Sequence, residues 1–211
     1  MVFMEQILYL IRHGHTSGTR SDLFYGATDL PITEDGYREV ESFAADGVYP
    51  DPEGASVWTS GMLRTEQTLN AMYGDIEHSY EPLLKEINLG KYEMKTYSEI
   101  MEDDYGRAWL SGELETLSFE GGDSHESFNK RVTEGVWNIL REAEKAGKDK
   151  VIAVLHGAVI TYLMYNAFPE QYTDMWMWTP NPGTGYKVTV KDGRPVSWMT
   201  VGETGERVVP L

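Results

Sequence analysis

Two short and almost continuously apolar runs, residues 7–11 and 151–155, limit the fold of this chain more than any other feature. Runs of this length are typical of β-strands that are buried on both faces, as in the interior of a parallel sheet. Residues 55–59 form a third and weaker run. Because such a sheet needs a layer of helices on each face, the runs predict a three-layer α/β sandwich.

Helical patterns lie between the apolar runs and support this interpretation. The strongest covers residues 123–146, where apolar side chains recur at a spacing near 3.6 residues. Asp123 and Glu126 are expected to form a capping box at its start, and Gly147 is expected to end it. Three further candidate helices cover residues 33–45, 62–73 and 158–168. The alternation of strands and helices indicates a mostly parallel central sheet.

The last quarter of the chain departs from this alternation. Asp192 and Gly193 separate the strand-like segments 186–190 and 196–200, which is a hairpin signal. The hairpin predicts antiparallel pairing at one edge of the sheet. The aromatic and methionine cluster Met175–Trp178 is too short for a membrane signal and is expected to pack beneath this hairpin.

No repeat or linker divides the sequence, so residues 1–211 are expected to form a single domain. Residues 92–120 are less periodic and rich in aromatic and acidic side chains, and we expect them to form a cap over a site. An ordinary solvated helical excursion is the alternative. If the cap is present, its acidic side chains are expected to disfavour highly anionic substrates.

The charge balance and composition exclude several classes of function. With 34 acidic and 18 basic residues, the formal net charge is −16, so nucleic acid is not an expected partner. The chain has no cysteine, which excludes cysteine nucleophiles, disulfides and thiolate metal sites. No apolar run approaches the ~18 residues of a membrane span and no signal peptide is recognisable, so we expect a cytoplasmic protein without a membrane partner.

Chemically active residues follow all three apolar runs. Arg12 and His13 follow the first run, Arg64 lies shortly after the second, and His156 follows the third. Because ligands of parallel α/β sheets bind beyond the carboxyl ends of the strands, these side chains are expected to converge. Two guanidinium groups beside imidazoles suit a phosphate group, since arginine pairs bidentately with its oxygens. Gly157 is expected to let the backbone approach the ligand closely.

The sequence lacks the motifs of several other catalytic classes that act at the carboxyl ends of such strands. The chain has no G-x-x-x-x-G-K-[ST], G-x-G-x-x-G, G-x-S-x-G or H-E-x-x-H motif and no D-x-D pair. A histidine imidazole is therefore the nucleophile that remains for phosphoryl transfer. A metal site built from His13, His15 and His156 is disfavoured by the two arginines, so we expect no metal or other cofactor. His15 is expected to be orienting or solvated, and His78 and His125 to have ordinary structural roles.

Six ordered motifs resemble those of the histidine phosphatase superfamily, the phosphoglycerate mutase-like proteins. The first is R-H-G-x-T at residues 12–16, and the matches extend in the family's order over roughly residues 6–160. The others are Y-G-A-T-D-L-P-I-T at 25–33, the stretch 60–68 with Arg64, L-K-E-I-N-L-G-K-Y-E at 84–93, G-G-D-S at 121–124 with Phe128, Arg131 and Val132, and H-G at 156–157. R-H-G alone is weak evidence, whereas six matches in order are specific.

The resemblance implies a role for each matching residue. His13 resembles the nucleophile that becomes phosphohistidine, and Glu86 resembles the proton donor to the leaving oxygen. Arg12, Arg64 and His156 resemble the groups that bind the phosphoryl oxygens, and no metal takes part. Neighbouring arginines are expected to lower the pKa of His13, and a phosphate dianion is expected to raise the pKa of Glu86.

Departures from the family pattern bear on the substrate. Thr19 stands where many relatives have Asn, and Tyr25 stands where broad-specificity phosphatases often have Gln. We expect both residues, together with Gly157, to contact the substrate. The stretch 25–31 resembles that of α-ribazole phosphatases, while sugar phosphates and phosphoglycerate are comparable candidates.

The resemblance predicts a histidine acid-type phosphatase, a phosphoric monoester hydrolase that acts on a small phosphorylated metabolite. A phosphoglycerate mutase is the alternative within the family, although such relatives are typically longer, with an insertion that closes the site. A non-catalytic module that binds phosphorylated ligands is the alternative outside enzymes, and the presence of both His13 and Glu86 argues against it.

Overall fold

The computed structural model describes residues 5–111, 118 and 120–202. Its strands are β1 (Gln6–Arg12), β2 (Leu23–Phe24), β3 (Ser56–Thr59), β4 (Ser79–Tyr80), β5 (Lys95–Thr96), β6 (Lys150–Leu155), β7 (Gly185–Lys191) and β8 (Arg194–Val201). Its α-helices are α1 (Ser17–Arg20), α2 (Glu34–Ala45), α3 (Leu63–Tyr73), α4 (Tyr97–Met101), α5 (Asp104–Ser111), α6 (His125–Lys145) and α7 (Gly157–Ala167). Short 3-10 helices lie at Pro82–Leu84, Gly90–Tyr92 and Met175–Trp178.

The central sheet has six strands in the order β4-β3-β6-β1-β7-β8. The first four are parallel, with Ile11 of β1 opposite Val154 of β6. Strand β7 runs antiparallel to both β1 and β8, so the edge strand β8 points in the same direction as β1. Asp192 and Gly193 join them with positive φ angles of 49° and 68°, as a tight hairpin turn requires. The structure thus confirms the mostly parallel sheet and its antiparallel edge hairpin.

Strand β6 shows why its sequence is continuously apolar. Val151, Ala153 and Leu155 face one hydrophobic cluster, which also contains side chains of α6 and α7. Ile152 and Val154 face a second cluster, which contains side chains of α2 and α3. All five are completely buried. The helices therefore cover both faces of the sheet in three layers, as predicted.

The start of α6 differs from the prediction. Ser124, not Asp123, is the N-cap residue, and its hydroxyl accepts a hydrogen bond from the backbone N–H of Ser127. The Ser127 hydroxyl in turn accepts from the backbone N–H of Ser124, so the capping box joins two serines and excludes Glu126. Asp123 is instead engaged with neighbouring segments, because its carboxylate accepts from the backbone N–H of Asn88 at 2.9 Å.

We expect Ser124→Ala to lower the free energy of unfolding by about 1 kcal/mol, the usual effect of removing an N-cap hydroxyl. Glu126→Ala is the matched control, since Glu126 is exposed and takes no part in the box. It should change the stability by less than about 0.5 kcal/mol. Urea unfolding of both variants measures the difference, and an equal loss from the two would contradict the assigned cap.

The segment expected to form a cap is tied to the rest of the molecule where it is described. Strand β5 pairs with β2, and α4 and α5 bury Ile100 and Trp109 in the larger hydrophobic cluster. Residues 112–117 and 119 of the expected cap lie outside the described residues. The cap therefore stays a prediction.

The aromatic packing near the C-terminal hairpin is as predicted. Trp178 is fully buried, and its ring lies edge-on to Trp198 of β8 at 4.9 Å and to Tyr186 of β7 at 5.6 Å. Within the described part of the chain, no helix is both long and apolar enough to span a membrane.

Candidate active site

The sheet brings the predicted residues of three strand ends together. The backbone N–H of His13 donates to the carbonyl of Leu155 at 2.9 Å, which fixes the end of β1 beside the end of β6. The rings of His13 and His156 are consequently 5.4 Å apart and nearly edge to face. Arg64, in the first turn of α3, is completely buried beside them. The convergence predicted from the strand ends is confirmed for these residues.

The His13 ring is held in one tautomer. Its Nδ1 lies 2.8 Å from the carbonyl oxygen of Gly14, which can only accept, so Nδ1 carries the proton and Nε2 keeps its lone pair. Gly14 is itself anchored because its N–H donates to the hydroxyl of Thr68. Burial, followed by the charges of Arg64 and Arg12, holds the pKa of His13 well below its usual value. The imidazole is therefore neutral and nucleophilic near neutral pH.

Arg12 has one buried donor that the described residues leave unpaired. Its Nη1 donates to the carbonyl of Pro180 at 2.8 Å, whereas its buried Nε has no hydrogen-bond partner among the described residues. The guanidinium lies against Gly157, where a Cβ atom would be 3.1 Å from Cζ. Gly157 thus makes room for Arg12. Since a buried unpaired donor is costly, the open edge of Arg12 suits an anionic ligand.

Arg64 is held by the protein on all three nitrogens. Nε donates to Nδ1 of His156 at 3.1 Å, Nη1 to the carbonyl of Thr28 at 3.1 Å, and Nη2 to the carbonyl of Gly26 at 2.8 Å. The Tyr25 ring stacks on the guanidinium, with its centroid 5.3 Å from Cζ. The cation is therefore fixed in position beside His13 before any ligand binds.

His156 contributes by fixing Arg64. Because its Nδ1 accepts from Arg64, its Nε2 carries the proton and donates to the hydroxyl of Ser60 at 2.8 Å. Burial first, and then the Arg64 charge, hold the pKa of His156 well below its usual value, so this neutral tautomer persists. Both ring nitrogens are thus engaged. The phosphate contact implied for His156 stays a prediction.

Glu86 joins the site from the segment after the 3-10 helix Pro82–Leu84. Its Oε1 accepts from the N–H of Ile87 at 2.9 Å, and its Oε2 from the N–H of Ala158 at 3.1 Å, in the first turn of α7. Burial raises the pKa of this carboxyl, and the opposing hydrogen bonds and the arginine charges do not cancel the effect. A raised pKa suits a group that must deliver a proton near neutral pH.

A guanidinium that the sequence did not mark as functional holds the Glu86 segment. Arg131 of α6 donates to the carbonyls of Leu83, Lys85 and Glu86 at 2.8, 2.7 and 3.2 Å. Its Nη2 also donates to the carboxylate of Asp123 at 2.8 Å. One side chain therefore holds three backbone carbonyls of the short segment 83–86, which contains the general-acid candidate.

We expect Arg131→Met to lower the turnover of a phosphate ester about tenfold and the free energy of unfolding by about 2 kcal/mol, because several carbonyls lose a charged donor together. Lys130→Met is the matched control, since Lys130 is the exposed neighbour on the same helix. Steady-state kinetics and urea unfolding of both variants measure the two effects. Unchanged turnover in Arg131→Met would show that the segment keeps its position without this contact.

Two of the residues predicted to contact the substrate, Thr19 and Tyr25, form hydrogen bonds with Thr16. The Thr19 hydroxyl takes part in the capping box of α1, where it accepts from the N–H of Thr16 at 2.8 Å. The Tyr25 hydroxyl lies 2.5 Å from the Thr16 hydroxyl, and the Tyr25 ring packs over Gly18. Tyr25 therefore lies beside Arg64 at the site, whereas Thr19 stabilises a short helix. Substrate contact by Thr19, Tyr25 and Gly157 stays a prediction.

His15 has the orienting surroundings expected of it. Its Nδ1 lies 3.2 Å from the Thr19 hydroxyl, and its Nε2 lies 3.7 Å from a carboxylate oxygen of Glu39. Burial, with the charges of Arg20 and Arg12, lowers the pKa of His15 to about 4. No group of three or more His, Asp or Glu side chains in the described ranges is arranged to hold a metal ion.

Four polar residues at this edge were not assigned roles from the sequence. Ser60 orients His156, Arg131 holds the Glu86 segment, and Asp29 accepts from the N–H of Leu63 at 3.0 Å at the start of α3. The fourth, Glu93, accepts several backbone N–H groups of the segment that follows Tyr25. All four lie within motif strings, but their roles depend on contacts between segments that are distant in sequence.

Known proteins similar to this chain are phosphatases and mutases. A 2,3-bisphosphoglycerate-dependent phosphoglycerate mutase from Methylobacterium radiotolerans is 30% identical over 161 residues, 73% of this chain and 75% of that protein. The adenosylcobalamin/alpha-ribazole phosphatase of Escherichia coli is 24% identical over 182 residues, 83% of this chain and 86% of that protein. A 26% identical 6-phosphofructo-2-kinase/fructose-2,6-bisphosphatase from Caenorhabditis elegans is much longer, and the match spans 74% of this chain but 33% of that protein.

A solved structure shares the fold. The crystal structure of the alpha-ribazole phosphatase from Shigella flexneri superposes with a TM-score of 0.74 at 22% identity, over 90% of this chain and 94% of that chain. The sequence profile of the histidine phosphatase superfamily (branch 1) matches residues 8–200, a range that contains all the site residues described above. This chain therefore belongs to the histidine phosphatase superfamily.

Proposed function

We propose that the protein is a metal-independent phosphomonoester hydrolase that acts on a small phosphorylated metabolite through a phosphohistidine at His13. The observation that carries this proposal is the His13 ring, whose Nδ1–H is held by Gly14 so that a neutral Nε2 is available beside Arg12 and Arg64. A neutral imidazole between two cations is a nucleophile placed where negative charge accumulates.

In the first step, Nε2 of His13 attacks phosphorus and the bond from phosphorus to the ester oxygen breaks. The leaving oxygen takes the proton of the Glu86 carboxyl, and the product alcohol departs. Arg12 and Arg64 stabilise the charge on the equatorial oxygens during the transfer. The Nδ1–H of His13 keeps its bond to Gly14 throughout, so the phosphohistidine stays in position.

In the second step, the Glu86 carboxylate takes a proton from a water molecule, whose oxygen attacks the phosphohistidine. The bond from phosphorus to nitrogen breaks, its electron pair returns to Nε2 of His13, and inorganic phosphate leaves. Glu86 is again protonated and His13 again neutral, so one turnover consumes one water and restores both groups.

The first test is the hydrolysis of an aryl phosphate with excess chelator. We expect full activity in the chelator, and a phosphorylated protein when the reaction is stopped at early times. The phosphoryl group should be labile in acid and stable in alkali, as a phosphoramidate is. Loss of activity in the chelator would contradict a metal-independent reaction, and an alkali-labile phosphoenzyme would contradict a phosphohistidine.

A phosphoglycerate mutase is the second candidate, because the 30% identical relative from Methylobacterium radiotolerans has that activity. A mutase returns the phosphoryl group to the substrate and does not lose it to water. Incubation with 3-phosphoglycerate and a trace of 2,3-bisphosphoglycerate distinguishes the two activities. Release of inorganic phosphate supports the hydrolase, and formation of 2-phosphoglycerate without phosphate release supports the mutase.

A further inference from the structure

The carboxylate of Glu93 lies in a nest of backbone N–H groups. Gly26 donates to both of its oxygens, at 3.1 and 3.0 Å, and Ala27 donates to Oε1 at 3.0 Å. Thr28 donates to Oε2 and Leu89 to Oε1, each at 3.0 Å. Four backbone groups from two segments thus converge on one carboxylate, in the way that such nests bind anions.

The segment that donates most of these N–H groups to Glu93 also binds Arg64 through its backbone carbonyls. We refer to residues 26–29 as the platform loop. Its carbonyls at Gly26 and Thr28 accept from Nη2 and Nη1 of Arg64. The carboxylate of Asp29 accepts from the backbone N–H of Leu63, which anchors the loop to α3. The platform loop therefore donates backbone N–H groups to the Glu93 carboxylate and offers backbone carbonyls to the buried Arg64 guanidinium.

Glu93 also ties the platform loop to the segment of the general-acid candidate. Leu89, which donates to Glu93, lies three residues after Glu86. The two segments are in close contact, because a Cβ atom at Gly26 would lie 1.6 Å from the carbonyl oxygen of Ile87. Only glycine fits there. A substitution of Glu93 therefore affects both the platform loop and the segment that carries Glu86.

The charges reinforce this arrangement. Burial alone would raise the pKa of Glu93, but the hydrogen bonds from Thr28, Gly26 and Leu89 outweigh it and lower the pKa, so the group is ionised. Arg64 is completely buried, and its nearest described ion-pair partner is Asp29, at 3.5 Å. The Glu93 carboxylate supplies further negative charge through the polarised peptide groups between them.

We propose that Glu93 is a positioning residue that holds the platform loop, and through it Arg64, in the geometry that binds the phosphoryl group. The inference rests on the phosphate-binding role of Arg64 in the proposed function. Because backbone N–H groups occupy both of its oxygens, Glu93 is assigned no direct contact with the substrate. In Glu93→Gln, an amide NH₂ replaces one acceptor oxygen and faces backbone N–H groups that can only donate, so the nest opens.

The experiment measures the binding of inorganic phosphate by calorimetry, together with the kinetics of aryl phosphate hydrolysis. Glu93→Gln should weaken phosphate binding about 10- to 100-fold, by analogy with the loss observed when a residue that orients a metal ligand is removed. Glu99→Gln is the matched control, since that carboxylate accepts from the Thr96 backbone N–H in the exposed capping box of α4. It should bind phosphate as the wild type does.

A double-mutant cycle with Arg64→Lys tests whether Glu93 acts through Arg64. Lysine cannot reach both carbonyls of the platform loop, so Glu93→Gln should weaken binding much less in the Arg64→Lys background than in the wild type. A general loss of stability would instead give equal factors in both backgrounds. Equal factors, or unchanged phosphate binding in a folded Glu93→Gln, would overturn the proposal.

A substitute variant, Glu93→Asp, and phosphate binding by the wild type separate loss of folding, failure of the proposed function and failure of the positioning role. If Glu93→Gln does not fold, Glu93→Asp replaces it, because the charge is kept but withdrawn by one methylene group, and the same cycle applies. If the wild type binds no phosphate, the proposed function itself has failed. If the wild type binds phosphate and the Glu93 variants bind it equally well, the positioning role alone has failed.

Discussion

His13→Ala should reduce phosphate ester hydrolysis at least about 10,000-fold, since removal of a covalent nucleophile eliminates the pathway and leaves only binding and charge stabilisation. The variant should still bind inorganic phosphate, because Arg12 and Arg64 keep their partners in Pro180, Gly26 and the rest of the protein. Loss of turnover with retained binding is therefore the expected signature. Steady-state kinetics and calorimetry measure the two quantities.

His15→Ala is the matched control for this prediction. His15 is two residues from the nucleophile, and its ring nitrogens face Thr19 and Glu39. We expect its removal to reduce turnover by no more than about tenfold, as befits a group with no direct part in the reaction. Trapped phosphoenzyme should be present in His15→Ala and absent in His13→Ala. Labelling that survives in His13→Ala would place the nucleophile elsewhere.

The fold was predictable where one physical requirement dominates the sequence. Strand β6 must be apolar on both faces because helices cover both, and its continuous apolar run at residues 151–155 shows this directly. The N-cap residue of α6 was predicted wrongly as Asp123. Both Asp123 and Ser124 are residues that commonly cap a helix, and Glu126 is acceptable in the first turn. The choice of Ser124 depends on tertiary contacts, since Asp123 is already bound to Asn88 and Arg131.

The site was predictable to the extent that it follows strand ends. Arg12 ends β1, and His13 and His156 directly follow β1 and β6, so topology alone places them at one edge. Arg64 was expected at this edge because it lies shortly after a predicted strand, whereas the role of Glu86 was implied only by the resemblance to a family. The contributions of Arg131 and Glu93 were not predictable, because a charged residue on a helix or in a loop is usually solvated and only the contacts show otherwise.

Glu86→Gln should reduce kcat/KM for an alkyl phosphate by about 100- to 10,000-fold, the usual contribution of a general acid. The raised pKa of Glu86 also sets a pH dependence. Activity requires the protonated carboxyl, so it should fall as pH rises through that raised pKa. It should fall in acid as well, where His13 becomes protonated, at a pH well below 6.5. In Glu86→Gln the alkaline decrease should disappear while the acid decrease remains.

The leaving group distinguishes a general acid from a residue that merely shapes the pocket. A nitrophenolate departs without a proton, whereas an alkoxide needs one, so Glu86→Gln should slow single-turnover phosphorylation far more with an alkyl ester than with a nitrophenyl ester. Glu81→Gln is the control, because the Glu81 carboxylate accepts from the Leu83 N–H and the Asn138 side chain. It should leave both rates and the pH profile unchanged. Equal slowing of the two esters in Glu86→Gln would remove Glu86 from proton transfer and leave it a role in binding alone.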